Sequence, residues 1–374
     1  MLREEFPIFE KQIYINSCSK GALSLTVKQA YQQYLSDWQN LGSPWDDWVH
    51  KLEQTRSAFV SLINAQPHEV AVKTSVSDAV NALASSLDFS GERNKILVDD
   101  FAFPTTAQIW HAQAARGAKL VHIPESADTT IPLEYYEQAI DERTLLVSIT
   151  LVCYRHGARQ DARAIIQLAH ERGALVMLDC YQALGTFPID VQNLNADFVV
   201  GGALKYLLGS SGLAYLYVRE ELIDKLYPTA TGWFAQADIF AMDIYHHNPS
   251  PTARRFESGT PPNPNLYAAL AGLQLIEQVG VENIEAHLNE LTGALKEGAY
   301  QRGYQIVTPD LHGAMIALKS QDVNQLVACL AGEKIIVSSR DDNLRVSAHF
   351  YNESSDIDVL LNTLKKYEHL LVFE

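Results

Sequence analysis

Ala174-Leu-Val-Met-Leu-Asp179-Cys-Tyr-Gln182-Ala-Leu-Gly185 and, a few residues on, Asp197-Phe-Val-Val-Gly-Gly-Ala-Leu-Lys205-Tyr-Leu-Leu-Gly209 form the stretch that decides the fold. The first run is apolar from Ala174 to Leu178 without alternation, which suits a strand buried on both faces. It ends in the carboxylate of Asp179. The second run, Phe198 to Val200, ends shortly before the amine of Lys205. Two neighbouring strands of this kind set an acid and an amine at one sheet edge, and open α/β sheets bind ligands beyond the carboxyl ends of their strands.

Outward from this centre the pattern repeats. Candidate strands are Val70 to Lys73, Ile96 to Asp99, Leu120 to Ile123, Leu145 to Ile149, Leu175 to Leu178, Phe198 to Val200 and Leu213 to Val218. Helical patterns such as Asp78 to Leu87 and Asp161 to Arg172 separate many of them. Alternation of this kind predicts an α/β large domain with a mainly parallel sheet between helices. Polar residues just past the strand ends are the first candidates for a site: Ser75, Ser77, Asp99, Asp100, Asp179 and Gln182.

The flanks read differently. Val27, Ala30, Tyr31, Tyr34, Leu35, Trp38 and Leu41 recur at helical spacing, with Gly42 as a stop. The segment from Pro249 to Pro264 is too rich in proline for regular structure. Helical patterns follow at Leu266 to Val279, Val281 to Arg302 and Asp356 to Lys366. We expect residues 1–45 to join a smaller α+β domain at 255–374, with the large domain at 46–254 between them.

Composition excludes several classes. The 374 residues are 47% apolar, enough for a sizeable core, and the net charge is -16 with no block of Lys and Arg. Nucleic acid and anionic membrane are therefore poor partners. Cys18, Cys153, Cys180 and Cys329 lie far apart and form no CxxC pair, so neither a disulfide framework nor a metal site is expected. His246-His247 are adjacent residues in a proline-rich loop, which rarely converge on one ion. Gly209-Ser-Ser-Gly212 is too short for a nucleotide fingerprint. The opening residues carry acids where a signal peptide has a basic and then apolar run, and no stretch reaches membrane-spanning length. The cytoplasm is the expected location.

An acid and an amine at one sheet edge suit pyridoxal 5'-phosphate. The lysine condenses with an aldehyde, which requires a lowered pKa. A carboxylate on the ring nitrogen keeps the ring protonated as an electron sink. Gln182 is placed to donate to the phenolic oxygen.

The chain resembles the class V aminotransferase family of fold-type I pyridoxal-phosphate enzymes, which includes cysteine desulfurases, C–S lyases and kynureninases. The likeness runs from Tyr14-Ile-Asn16 to Tyr351-Asn352. Its strongest element is Asp179-x-x-Gln182 standing 26 residues before Lys205 (205 minus 179), the family's spacing for the Schiff-base lysine. Thr74-Ser-Val76-Ser77-Asp-Ala-Val-Asn81 resembles the family's phosphate loop, in which a hydroxyl and backbone N–H groups of Val76 and Ser77 open a helix. Ser258-Gly-Thr260-Pro-Pro262 resembles the segment whose threonine reaches the partner subunit's phosphate, which implies a homodimer with shared sites. Leu344-Arg345-Val-Ser resembles the strand whose arginine grips the substrate α-carboxylate. Phe103-Pro-Thr105, whose ring would stack on the cofactor, and Gly232-Trp233-Phe234, with Trp233 as a substrate contact, resemble kynureninases.

Several positions depart from the family. Gly202, Ala203 and Leu204 carry no side-chain donor where phosphate contacts usually stand. Tyr181 replaces a small residue, and Gln236 replaces a histidine. The loop Val337-Ser-Ser-Arg340-Asp-Asp-Asn343 holds no cysteine, whereas persulfide-forming desulfurases carry their nucleophile there.

Bland readings stand beside these. Asp179 alone reads as a salt-bridge partner, Ser77 as a helix cap, Phe103 and Trp233 as core, and Arg340 as a surface ion pair. Three functional readings follow. The first is a lyase that eliminates a β- or γ-substituent of an amino acid, by C–S or kynureninase-like cleavage. The second is an aminotransferase, and the third a protein of the same fold that binds an amino acid or a partner without turnover. The resemblance implies that Lys205 exchanges for the substrate amine and then takes the α-proton. Phe103 and Gly232-Trp233 tilt the reading to the lyase, while Lys205, Asp179 and Arg345 together argue against the third.

Overall fold

The computed structural model describes residues 2–374. Twelve strands are labelled in chain order: β1 (Ile13–Tyr14), β2 (Val70–Lys73), β3 (Lys95–Asp99), β4 (Lys119–Ile123), β5 (Thr144–Thr150), β6 (Leu175–Asp179), β7 (Phe198–Gly202), β8 (Ala214–Val218), β9 (Met315–Lys319), β10 (Ile335–Ile336), β11 (Ser338–Arg340) and β12 (Asn343–Ser347). Strands β2 to β8 form one seven-stranded sheet in the order β2-β8-β7-β6-β5-β3-β4. Only β8 runs antiparallel to its neighbours. These seven strands are the seven expected, with ends shifted by at most two residues, and the architecture is the mainly parallel α/β sheet between helices expected from the sequence.

Strand polarity makes the site. Because β8 reverses between β2 and β7, β2 runs parallel to β7. Lys73, Asp99, Thr150, Asp179 and Gly202 therefore all end at the same edge. The interior strands β6 to β8 are apolar because helices cover both faces. Helix Val76–Ser86 packs on one side and Ala162–Glu171 on the other, in separate apolar clusters. Each is started by its own cap: Ser75 Oγ accepts from Asp78 N at 3.0 Å, and Asp161 Oδ1 accepts from Ala164 N at 3.1 Å.

A second core unites the two chain ends. Phe6, Ile15, Cys18 and Ala22 pack with Met315, Leu344, Tyr351 and Leu371. Arg3 clamps Asp356 with two bonds of 2.8 Å, and the Phe6 ring lies 4.5 Å from Tyr351. Strands β9, β11 and β12 form an antiparallel sheet here, and β1 pairs with β10. Helix Asn263–Val279 serves both cores: Leu266, Ala269 and Leu273 pack on the large one, Leu275 and Ile276 on the second. Helix Trp45–Ile63, which sequence periodicity did not single out, lies along the large core through Leu52, Phe59, Val60 and Ile63. Its polar insertions Thr55 and Arg56 masked the pattern, yet both are buried. Among the described residues no helix is long and apolar enough to cross a membrane.

Candidate active site

A cavity of about 430 Å³ opens at the shared strand edge, between the large sheet and the β11–β12 hairpin. Asp179 and Gln182 form its floor, Lys205 reaches in from the turn after β7, Ser75, Val76 and Ser77 close one end, and Phe103 and Tyr154 wall one side. Arg340 and Arg345 enter from the hairpin.

The lysine is held by backbone. Gly21 N–H donates to Leu204 O at 3.2 Å, and Leu208 N–H to Lys205 O at 3.1 Å. A side chain at Gly21 would overlap the Lys205 carbonyl, so this close approach of two loops demands glycine. The Lys205 amine lies 4.4 Å from the Tyr181 ring centroid and makes no hydrogen bond among the described residues. Burial pulls its pKa down to about 8, further lowered by the positive charges of Arg345 and Arg340 and partly offset by Cys18 and Asp179.

Asp179 is buried, and burial raises its pKa against three opposing influences, the Tyr181 N–H bond, the Lys205 charge and the Thr106 hydroxyl. Its Oδ1 accepts from Tyr181 N at 3.0 Å and its Oδ2 from Thr106 Oγ1 at 3.4 Å. The buried Arg345 donates to Tyr154 O at 2.6 Å, to Ser338 Oγ at 3.1 Å and to Ser19 Oγ at 3.3 Å. Its Nε is buried without a partner, and among the described residues no carboxylate pairs with it.

A model of the aminotransferase class-V family matches residues 13–360. The chain belongs to the class-V aminotransferase family. Its relatives include an uncharacterized aminotransferase, YcbU, of Bacillus subtilis, 34% identical over 95% of this chain and 94% of the relative. A kynureninase of Deinococcus radiodurans is 32% identical over 88% of this chain and 82% of its own length. The cysteine desulfurase structure from Thermococcus onnurineus superposes with a TM-score of 0.88 at 22% identity, covering 98% and 97% of the two chains. This class-V protein is a pyridoxal-phosphate-dependent enzyme.

The residues present fit that cofactor. Ser75 Oγ takes the Asp78 N–H, which leaves the N–H groups of Val76 and Ser77 at the helix start without acceptors among the described residues. A helix N-terminus with free donors suits a phosphate. The buried Asp179 carboxylate, partnered only by neutral donors, suits a protonated ring nitrogen. Phe103, 42% exposed, offers its ring to the cavity and meets Tyr154 edge-on at 5.0 Å.

Other expected site residues are partly engaged or stand outside the cavity. Gln182 gives an amide N–H to Cys18 O at 3.0 Å, and its buried Oε1 has no donor, so only its second N–H is free for a phenolic oxygen. Trp233 is not in the cavity of its own chain. It packs edge-on against Trp45 at 5.8 Å and against Phe234 at 4.4 Å, an aromatic cluster on the outside of the large core. Thr260 is exposed and lies beside Lys73 and Asp78, also outside that cavity. Asp99 does not line the cavity either; its Oδ2 accepts from Thr150 N at 2.7 Å and Gln160 Nε2 at 2.8 Å, and burial pushes its pKa up to about 7.

Sequence reasoning missed Tyr154 and Ser19, which reach the cavity from segments without a motif, and Thr106, which directly follows Phe103-Pro-Thr105. It also set Arg340 aside as a surface ion pair; the residue is exposed, but among the described residues no carboxylate pairs with it, and it lines the cavity. Cys18 lines it too, 3.7 Å from Ser338 Oγ, although it is remote in sequence from the loop before Arg345.

Proposed function

We propose that the enzyme acts at the α-carbon of an amino acid as a lyase, with Lys205 carrying the cofactor and Arg345 taking the substrate carboxylate. The observation that carries this reading is the Lys205 amine: unbonded, with a pKa lowered to about 8, in a cavity whose floor is the buried Asp179. When bound, pyridoxal phosphate supplies an aldehyde for the amines and a ring that accepts the electron pair left at the α-carbon. The helix start at Val76 and Ser77 would hold the phosphate and Asp179 the ring nitrogen, with Phe103 and Tyr181 beside the ring. Arg345, fixed by Tyr154 O and Ser338, fastens the α-carboxylate through a guanidinium fork. Lys205 Nζ, partly neutral near pH 8, accepts the α-proton. Burial raises the Tyr154 phenol, which stays protonated on the substrate wall and can give its proton to a departing substituent.

The names of the kynureninase and cysteine desulfurase relatives support cleavage of a side-chain bond, and the YcbU name keeps transamination as the alternative. An amino-acid panel decides between them. Product release with the cofactor still in its aldehyde form marks the lyase; keto-acid formation with the cofactor left in its amine form overturns it.

We place the protein as a homodimer with shared sites in the cytoplasm. The exposed Thr260, outside its own cavity, supports a crossing contact, and four unbridged cysteines suit a reducing compartment.

A further inference from the structure

The β11–β12 hairpin carries more positive charge into the cavity than an ordinary amino acid can answer. Ser338 stands opposite Arg345, and Arg340 opposite Asn343. Residues directly opposed, and residues two apart on a strand, share a face. Arg340 and Arg345 therefore project from one face of the hairpin, and both line the cavity. Among the lining residues Asp179 is the one carboxylate, against Lys205, Arg340 and Arg345.

Asp179 lies at the floor and Arg345 has its proposed partner in the substrate α-carboxylate. Arg340 is left over. Two aspartates follow it directly, yet neither pairs with it; Asp342 instead lies 3.6 Å from Lys319. Its guanidinium sits 5.7 Å from the Tyr154 ring centroid, and Tyr154 in turn braces Phe103. The arginine, exposed at the rim, is thus set against the cavity wall with its fork unused.

We propose that Arg340 is a specificity residue, and that the substrate is an amino acid whose side chain ends in a second anionic group. This rests on the reading that Arg345 holds the α-carboxylate. The geometry answers two negative charges on one ligand with two guanidiniums on one hairpin face, as forked charge-assisted bonds recognise planar anions.

The test is a titration of the holoenzyme, followed by the change in cofactor absorbance, with amino acids matched in length: aspartate against asparagine, glutamate against glutamine, and cysteine sulfinate against homoserine. The wild type should bind the anionic member of a pair on the order of tenfold or more tightly, the lower range for charged hydrogen bonds at a partly exposed site. In Arg340→Met the acid-to-neutral ratio should fall towards one, in Arg340→Lys it should be largely kept, and in Arg340→Glu it should invert. An equal response to both members in the wild type, or an unchanged ratio in Arg340→Met, overturns the proposal while leaving the amino-acid site standing. No absorbance change with any amino acid overturns that underlying reading and the proposal together.

Discussion

The phenol of Tyr181 occupies the space that a side chain at Gly202 would need: a β-carbon on Gly202 would overlap the Tyr181 Cζ and Oη. The two departures from the family pattern, a large residue at 181 and none at 202, are one packing solution. The ring spans from Gly202 towards the Lys205 amine and packs on the cluster that holds Val76. Its hydroxyl has no partner among the described residues, and burial pushes its pKa up to about 12, so it remains a donor. Gly202→Ser should displace the ring and weaken cofactor retention by about tenfold or more, the cost of over-packing. Tyr181→Ala combined with Gly202→Ser should recover part of the loss. Dissociation constants from cofactor absorbance check both; a Gly202→Ser enzyme with unaltered retention contradicts the coupling.

Lys205 should govern how the cofactor-free chain responds to pH. Its pKa of about 8 lies below the ordinary 10.5, so the unfolded chain holds more protons between those values. Stability from this group therefore rises with pH across that window. Cofactor-free Lys205→Met should be more stable than wild type at pH 7, with the gap closing towards pH 10.5 in denaturant melts. Cofactor uptake by the wild type should speed up as pH approaches 8, and borohydride should fix the label to the Lys205 peptide alone.

Asp179 and Arg345 should separate by what they touch. Asp179→Asn keeps the floor's shape but loses the charge, and turnover should fall by about two to three powers of ten, in line with large electrostatic effects on catalysis. Arg345→Ala should lower kcat/KM by roughly the same factor by leaving a substrate carboxylate unpaired, with the cofactor spectrum unchanged. Steady-state kinetics read beside the spectrum check both.

Away from the cavity, Arg56 and Glu257 form a buried ion pair. Arg56 Nη1 lies 2.7 Å from Glu257 Oε1, both are buried, and the same oxygen accepts from Val72 N at 2.9 Å. Glu257→Ala leaves the guanidinium with Val70 O and, at its outer edge, Glu53 as partners, and no buried countercharge. It should cost about 3–5 kcal/mol, as for other broken buried pairs. A denaturant midpoint within error of wild type would contradict it.

Mixing subunits checks the crossing of Thr260. Lys205→Ala and Thr260→Ala chains should each be impaired alone. A heterodimer should regain one site with both groups intact, so activity should reappear on mixing. Two inactive parents that stay inactive after verified exchange count against shared sites.

The strands of the large sheet, the fold class and the pairing of Asp179 with Lys205 were legible because they rest on local facts: unbroken apolar runs, and spacing along one chain. Helix Trp45–Ile63 was not, since the buried polar residues Thr55 and Arg56 interrupt its apolar stripe and only their tertiary partners explain them. Arg345 was found through its motif, whereas Arg340 looked like surface. Only the antiparallel register of β11 and β12 puts the two on one face, and register depends on pairing rather than on local sequence. Trp233 and Thr260 carried family-like motifs, yet folding of one chain leaves them outside its cavity, because their segment follows the outside of the large core. Apolar runs and spacing, which are properties of the chain, were enough to set the sheet, its ligand-binding edge and the acid–amine pair. The tertiary structure alone decided which distant side chains share that edge: Tyr154 and Cys18 from remote loops, Tyr181 folded over Gly202, and a second arginine beside the first.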